Sequence, residues 1–416
     1  MSASNFTDPV LARGLTQRRF GRRDLLRAGS LSALGMTLAA CGVKGKGKPS
    51  ASVAPDAVAK YWGNKTKNGH VDFANWPYYM DPKKPQLKEF TKETGITVNY
   101  QEVIQEMGPW FAKVQPQLSA GQSIGFDLMV ITNSVQFNQF VDSGFLAPLD
   151  HSKLPNFAKY AGERYKNELY DKGNVYSVPW TSGITGIAYD PKKVKAPITK
   201  LADLWDTAYK GKVGMMSDSQ ELGNFGLMAL GIDPAKSTPD DWKKAADHLK
   251  KQKSDGIVRK YYDQSYIDAL GHGEVWITQA WSGDIFQKNL SDGTDFKFVV
   301  PQEGGTLWTD NMTIPITAKN PVDAIELMDF FYLPTTAASL AEFINYVTPV
   351  PAAQAQIRAD AAKATGDTKA TDEALAVSPF VFPSAEVYAN LHYYVSFPSI
   401  SVQQQYDKLF EPIVLG

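Results

Sequence analysis

Two hydrophobic rhythms alternate along this chain. Residues 96–100 place apolar side chains at every second position, the period of a half-buried strand, and residues 71–76 read as a strand before it. The run FDLMVI at 126–131 is almost continuously apolar, which suits a strand covered on both faces. Helical spacing predicts a helix over 85–94 that stops at Gly95, and another over 135–143 before Gly144. After residue 183 the alternation returns, with strands over 186–189, 212–216, 275–279 and 296–300 and helices over 223–230 and 240–252. Residues 321–333 read as an amphipathic helix, and the alanine-rich stretch 351–376 as helix on the surface. This order of elements predicts an α/β protein with a largely parallel sheet. About 350 ordered residues exceed one ordinary core, so two lobes are expected. No internal repeat with a fixed period is present.

The first forty residues follow neither rhythm. Paired arginines, Arg22 and Arg23, precede Leu25 and Leu26, a modest apolar run from 28 to 40, and then Leu38-Ala39-Ala40-Cys41. A basic region, a short apolar stretch and small residues before a cut site form an export signal. The run is too short and too poor in large side chains to span a membrane. It resembles a bacterial twin-arginine signal, with Leu25 where Phe is usual, and the Leu-Ala-Ala-Cys end resembles a lipoprotein box. Cys41 is the single cysteine of the chain, with no disulfide partner, so lipidation accounts for it better than an ordinary cut signal does. Residues 41–68 are then expected to be a lipidated, flexible linker, since GVKGKGKPSASVAPDAVAK has linker composition. The stretch 42–49 almost spells a phosphate-binding loop, but Pro49 stands where Ser or Thr would hold magnesium, and no hydrophobic strand precedes it.

Removal of residues 1–40 takes away six arginines and two aspartates. That leaves 37 basic against 42 acidic residues, a formal net charge of −5, which excludes a nucleic-acid-binding surface as the main function. The five histidines (His70, His151, His248, His272, His392) are scattered and form no ligand pair, so no metal site is expected. No nucleophile stands at a recognisable spacing from a base, so no catalytic residue and no cofactor is expected.

Several local stretches, in shared order, resemble the solute-binding proteins of bacterial polyamine transporters, the spermidine- and putrescine-binding group. They are FANWPYYM (73–80), FTKETGITV (90–98), FDLMV (126–130), SKLPNF (152–157), ADLWDTAYKG (202–211), GGTLWTDNMTIPITAKNP (304–321) and INYVTPVPAA (344–353). The resemblance implies a two-lobed periplasmic-binding-protein (type II) fold with a hinge and a ligand cleft. It places one lobe at 69–182 plus 309–354 and the other at 183–308 plus 355–416. It also implies a monomer that delivers its ligand to a membrane permease driven by a separate ATPase.

A protonated polyamine is an aliphatic stem with an ammonium at each end. Its stem needs flat apolar walls, and its ends need carboxylates and the negative faces of aromatic rings. Trp308 and Asp310 lie two apart, on one side of the chain if it is extended, and meet both needs from one strand. By the resemblance these two correspond to ligand contacts, as do Trp76 and Tyr79 in NWPYY, Trp281 in QAWSGDIF and Tyr346 in INYVTP. Asp218 and Glu221 match two acids of spermidine-type members, although an acid at either position also suits the start of a helix. Asp284 resembles the second acid of putrescine-type members, and equally suits a turn after Gly283. Thr132-Asn133-Ser134 stands where the family has an aromatic wall, and Tyr394 lies near the place of a glutamine found in spermidine-type members. Two other classes also use tryptophans and acids: binding proteins for an amino-acid derivative, opine or sugar alcohol, and glycoside hydrolases. A carboxylate-bearing ligand would need an arginine, and Arg164, Arg259 and Arg358 match no contact position. No two acids can be assigned acid and nucleophile roles.

Overall fold

The computed structural model describes residues 55–105, 107–395, 397 and 400–415. The expected export signal, Cys41 and the stretch 42–49 lie outside these residues. Among the described residues ten strands share one sheet. They are β1 (His70–Asn75), β2 (Thr97–Glu102), β3 (Leu128–Thr132), β4 (Ser177–Tyr189), β5 (Val213–Met216), β6 (Val258–Tyr262), β7 (Ile277–Trp281), β8 (Lys297–Val299), β9 (Gly305–Thr313) and β10 (Leu391–His392).

The main order is β2-β1-β3-β9-β4-β7-β5-β6, with β10 beside β9 and β8 beside β4. β1 runs parallel to β2 and β3, and β5 runs parallel to β6 and β7, as the strand–helix alternation predicts. The two parallel groups are joined through the antiparallel pair β4 and β9. The start of β4 pairs only with β9, and its end also pairs with β7. The end of β9 pairs with β3. These two crossing strands are longer than the sequence pattern suggests, because every residue of both is buried and the period-2 signal is lost. Between Pro179 and Thr181 the register of β4 shifts by one residue, a β-bulge. Trp180, the extra residue, is buried against Phe73 and Phe331.

Each parallel group has its own cores. Phe73, Leu128, Val130 and Met312 pack with Phe90 and Leu327 on one face of the first group, and Trp110, Met129, Ile131 and Phe140 on the other. Val213, Met215, Phe225, Trp242 and Leu249 form the main core of the second. A smaller cluster of Tyr165, Ile184, Leu307 and Val347 lies with the crossing strands.

Three expectations change. The stretch through residue 68 is not all linker. Pro55–Trp62 is a helix, Trp62 is buried, and its indole N–H donates to the carbonyl of Pro148 at 2.7 Å. Two aromatics, Tyr61 and Trp62, anchor a segment whose average composition is polar. Residues 351–376 form two helices, Ala353–Ala361 and Gly366–Ala376, separated before Gly366 at φ +61°. Ile357, Leu375 and Val381 join the core around Phe73, so this part packs with the first lobe rather than the second, to which 355–416 was assigned. The helix Ile400–Leu415 packs Tyr406, Phe410 and Ile413 into the second core. The helix Pro321–Phe330 is buried on nearly all sides rather than amphipathic.

Candidate ligand-binding site

In an open α/β sheet, ligands sit beyond the carboxyl ends of the strands. Here those ends carry the candidate residues. Trp76 and Tyr79 follow β1, Thr132 ends β3, Asp218 and Glu221 follow β5, and Trp281 ends β7 just before Asp284. Trp308 and Asp310 come from β9, paired across from Gly183 and Thr181 of β4. The extended backbone at 305–313 puts Trp308 and Asp310 on one side, as their spacing predicts.

Glu221, Asp310 and Asp284 are only 2%, 2% and 6% exposed, so each must be satisfied inside the protein. Asp310 accepts one hydrogen bond on each oxygen, from the Tyr79 hydroxyl and from the Thr132 hydroxyl, both at 2.5 Å. Glu221 Oε1 accepts three: from Thr185 at 2.8 Å, from the Trp281 indole at 3.0 Å and from the Tyr394 hydroxyl at 2.8 Å. Glu221 Oε2 is buried and has no partner. Asp284 accepts from Tyr346 at 3.0 Å and from Tyr266 at 2.9 Å, with Gln264 at 3.3 Å. Among the described residues, no lysine, arginine or histidine pairs with Asp218, Glu221 or Asp310.

Aromatic rings join these acids into one site. Trp308 meets Tyr346 edge-on at 5.2 Å and Trp281 at 6.3 Å, while Trp76 and Tyr79 lie 6.5 Å apart. Gly183 makes room for the Trp308 ring, which lies 1.9 Å from where a Cβ would stand. The structure thus brings Tyr79, Glu221, Trp281, Asp284, Trp308, Asp310 and Tyr346 together, with Trp76 alongside Tyr79. Asp218 stands apart. It is exposed and caps the helix Ser219–Met228, accepting from the amides of Gln220 and Glu221 at 2.9 Å each. Sequence reading passed over Thr132, Thr185, Gln264 and Tyr266, because a hydroxyl or amide that orients a carboxylate has no periodic signature. Ser134 is hydrogen-bonded to Gln136. Arg164 lies over Tyr388 and against Tyr393, not among the acids.

Burial raises the Glu221 carboxyl to about 7, against the hydrogen bonds from Trp281, Thr185 and Tyr394 and with help from the charge of Asp218. Burial likewise raises Asp310 to about 6, opposed by Thr132 and Tyr79. Both groups bind protons more tightly folded than unfolded. The stability this confers is present in acid and is lost as pH rises through about 6 to 7. A cation bound beside them reverses that penalty and expels the protons. Among the described residues no group of three or more His, Cys, Asp or Glu is placed to hold a metal ion. No helix among them is long and apolar enough to cross a membrane.

Two half-sheets joined by crossing strands, with a polar, aromatic-walled site at their strand ends, define a protein that holds a small solute between two lobes. The chain belongs to the bacterial extracellular solute-binding protein family, whose sequence model matches residues 86–370. The spermidine/putrescine-binding periplasmic protein 1 of Haemophilus influenzae is 32% identical to it over 327 residues, covering 78% of this chain and 84% of that one. The putrescine/agmatine-binding protein of Pseudomonas aeruginosa is 28% identical over 317 residues, covering 71% and 81%. A solved structure, the spermidine/putrescine ABC transporter substrate-binding protein PotD of Streptococcus pneumoniae, matches with a TM-score of 0.70 at 26% identity, covering 84% of this chain and 99% of that chain. The fold is the two-lobed, type II arrangement of periplasmic binding proteins.

Proposed function

We propose that this protein captures a polyamine of the putrescine or spermidine class by lobe closure outside the cytoplasmic membrane. It then delivers the ligand to an ABC permease driven by a separate ATPase. The observation that carries this reading is the set of buried carboxylates among aromatic rings, of which Glu221 and Asp310 have no basic side chain to neutralise them. Ionised carboxylates removed from water need a counter-charge. An organic ammonium supplies it, and its methylene stem covers the faces of Trp308, Trp281 and Tyr346. A neutral solute would leave the charges unpaired, so it is rejected. Residues reached from both lobes are all satisfied only in the closed state, so ligand shifts the population toward closure.

Thermal unfolding with putrescine, cadaverine, spermidine, spermine and sugar alcohols tests this. A diamine or triamine far above its dissociation constant is expected to raise stability by about 2–4 kcal/mol, and sugar alcohols by nothing measurable. The ligand-free melt is expected to fall between about pH 5.5 and pH 8, and the amine-induced shift to grow over the same range. A shift with uncharged solutes alone would rule out the polyamine reading.

The same reading gives residues 1–40 the role of a twin-arginine-type export signal and Cys41 that of the lipid-anchored first residue of the mature protein. Linker composition up to the helix Pro55–Trp62 supports a tether of this kind. Mass spectrometry of the membrane-associated protein is expected to show diacylglycerol on Cys41. A Cys41→Ser variant is expected in the soluble fraction, and its retention on the membrane would overturn the anchor.

A further inference from the structure

The segment that follows β10 threads between the site and a second buried polar cluster. β10 pairs with the first residues of β9, Leu391 opposite Gly305 and His392 opposite Thr306. Beyond it, Tyr393 and Tyr394 turn to different cores, as consecutive residues of an extended chain do. Tyr394 packs with the cluster that contains Trp308 and donates to Glu221 at 2.8 Å. Tyr393 packs with Ile184 and Leu307, residues of the crossing strands that alternate with Gly183 and Trp308 of the site.

There Tyr393 meets groups that the ligand site does not use. Its hydroxyl donates to Glu168 Oε2 at 3.0 Å and accepts from Arg164 Nη2 at 3.2 Å. Its ring meets Tyr170 edge-on at 6.5 Å, and Arg164 lies 4.0 Å from the ring centre of Tyr388. Glu168 is 1% exposed, and its other oxygen is buried with no partner. A buried carboxylate and a buried guanidinium that converge on one phenol carry a larger cost than packing alone would justify. That phenol is one residue from the phenol that touches Glu221.

We infer that Glu168 and Arg164 act through Tyr393 as positioning residues that hold the Tyr394 hydroxyl on Glu221, and so set how strongly Glu221 binds a cationic ligand. Fixing one tyrosine orients the peptide that leads to the next. The inference deepens the polyamine reading and rests on it for its ligand. Tyr394 is one of three donors that hold down the proton affinity of Glu221. Its loosening therefore lets Glu221 take up a proton at higher pH, and the site loses negative charge near neutrality. The groups facing Glu221 are Asp218 on its own helix, Trp281 of β7, Thr185 of β4, Tyr394, and Tyr406 from the C-terminal helix. Those facing Glu168 are Arg164, Asp171, Tyr170, Tyr332, Tyr388 and Tyr393.

Tyr393→Phe keeps the ring against Tyr170 and the backbone bond from Asn224 Nδ2 to the Tyr393 carbonyl at 3.3 Å, and removes only the hydroxyl. The indole N–H resonance of Trp281, which donates to Glu221, reports the Glu221 titration without any ligand. In the native protein its midpoint is expected near 7. It is expected to move up in Tyr393→Phe and in Tyr394→Phe, and no further in the double variant. Spermidine affinity at neutral pH is expected to fall about tenfold in each single variant, again with no further loss in the double. Glu168→Leu is expected to act like Tyr393→Phe, and Glu168→Gln, which keeps an acceptor, to stay close to the native midpoint. This pair decides the matter if Tyr393→Phe fails to fold. An unmoved midpoint in Tyr393→Phe, or independent addition of the two tyrosine effects, overturns the relay. If midpoints move together but no amine binds, the polyamine reading falls and the relay stands.

Discussion

Asp310→Asn is expected to weaken amine binding by about 30- to 1,000-fold while making the ligand-free protein more stable. The two effects have one cause. Both oxygens of Asp310 are held by hydroxyls, from Tyr79 and Thr132, and no basic residue pairs with it. Ligand-free, the ionised carboxylate is a buried charge held only by dipoles, and its raised pKa measures that penalty. Asparagine keeps the shape, and both hydroxyls can rotate to suit an amide. The variant is therefore expected to melt about 2–5 °C higher near pH 8, with little difference near pH 5, where Asp310 is protonated in the native protein as well. With an ammonium bound, the missing charge is felt in full, as when one member of a buried ion pair is truncated. Calorimetric titration and thermal unfolding at both pH values read the two effects separately. Unchanged affinity would remove Asp310 from the site.

Gly183→Ala is expected to be the most damaging single-methyl change. A Cβ at that position stands 1.9 Å from Cζ2 of Trp308, with two more indole carbons within 2.4 Å. Neither partner can give way easily. β4 is held by β9 here and by β7 two residues on, and the indole is flanked by Trp281 and Tyr346. Overpacking of this kind costs about 3 kcal/mol, and amine binding goes with it because the wall has moved. Urea unfolding and calorimetry check both losses. A second substitution, Trp308→Leu, is expected to restore much of the stability and none of the binding. If the double variant is no more stable than Gly183→Ala alone, the clash with the indole is not the cause.

Much of the framework is legible in the sequence because surface-facing elements keep a clean period. The helix Pro85–Thr94 ends at Gly95 as its pattern predicts, and Gly95 takes the left-handed conformation that only glycine adopts freely. Buried elements hide. β4 and β9 have no polar face, so no alternation marks their length. The helix Ser282–Asp292 begins in the site itself, where Ser, Gly and Asp read as a turn. At the site, the acids and indoles stand out because their burial needs an explanation. Their hydroxyl partners do not, since Thr132, Thr185 and Tyr266 are unremarkable until the fold sets them against Asp310, Glu221 and Asp284. Thr132 lies in the stretch whose missing aromatic wall was read as a departure, and there it supplies a donor instead. Asp218 kept its helix-capping role, and nothing about a cap distinguishes it beforehand from a ligand contact.

The bulge at Trp180 fixes the reading frame of the strand that follows. A pleated chain presents alternate residues to alternate sides, so one residue more or fewer exchanges the two sides for everything downstream. Were Trp180 deleted, Thr185 would turn away from Glu221, and Ile184 would be driven toward the indole that now lies over Gly183. Length at this point is therefore constrained more tightly than side-chain identity: a substitution leaves the parity of the strand intact, whereas a single-codon deletion inverts it.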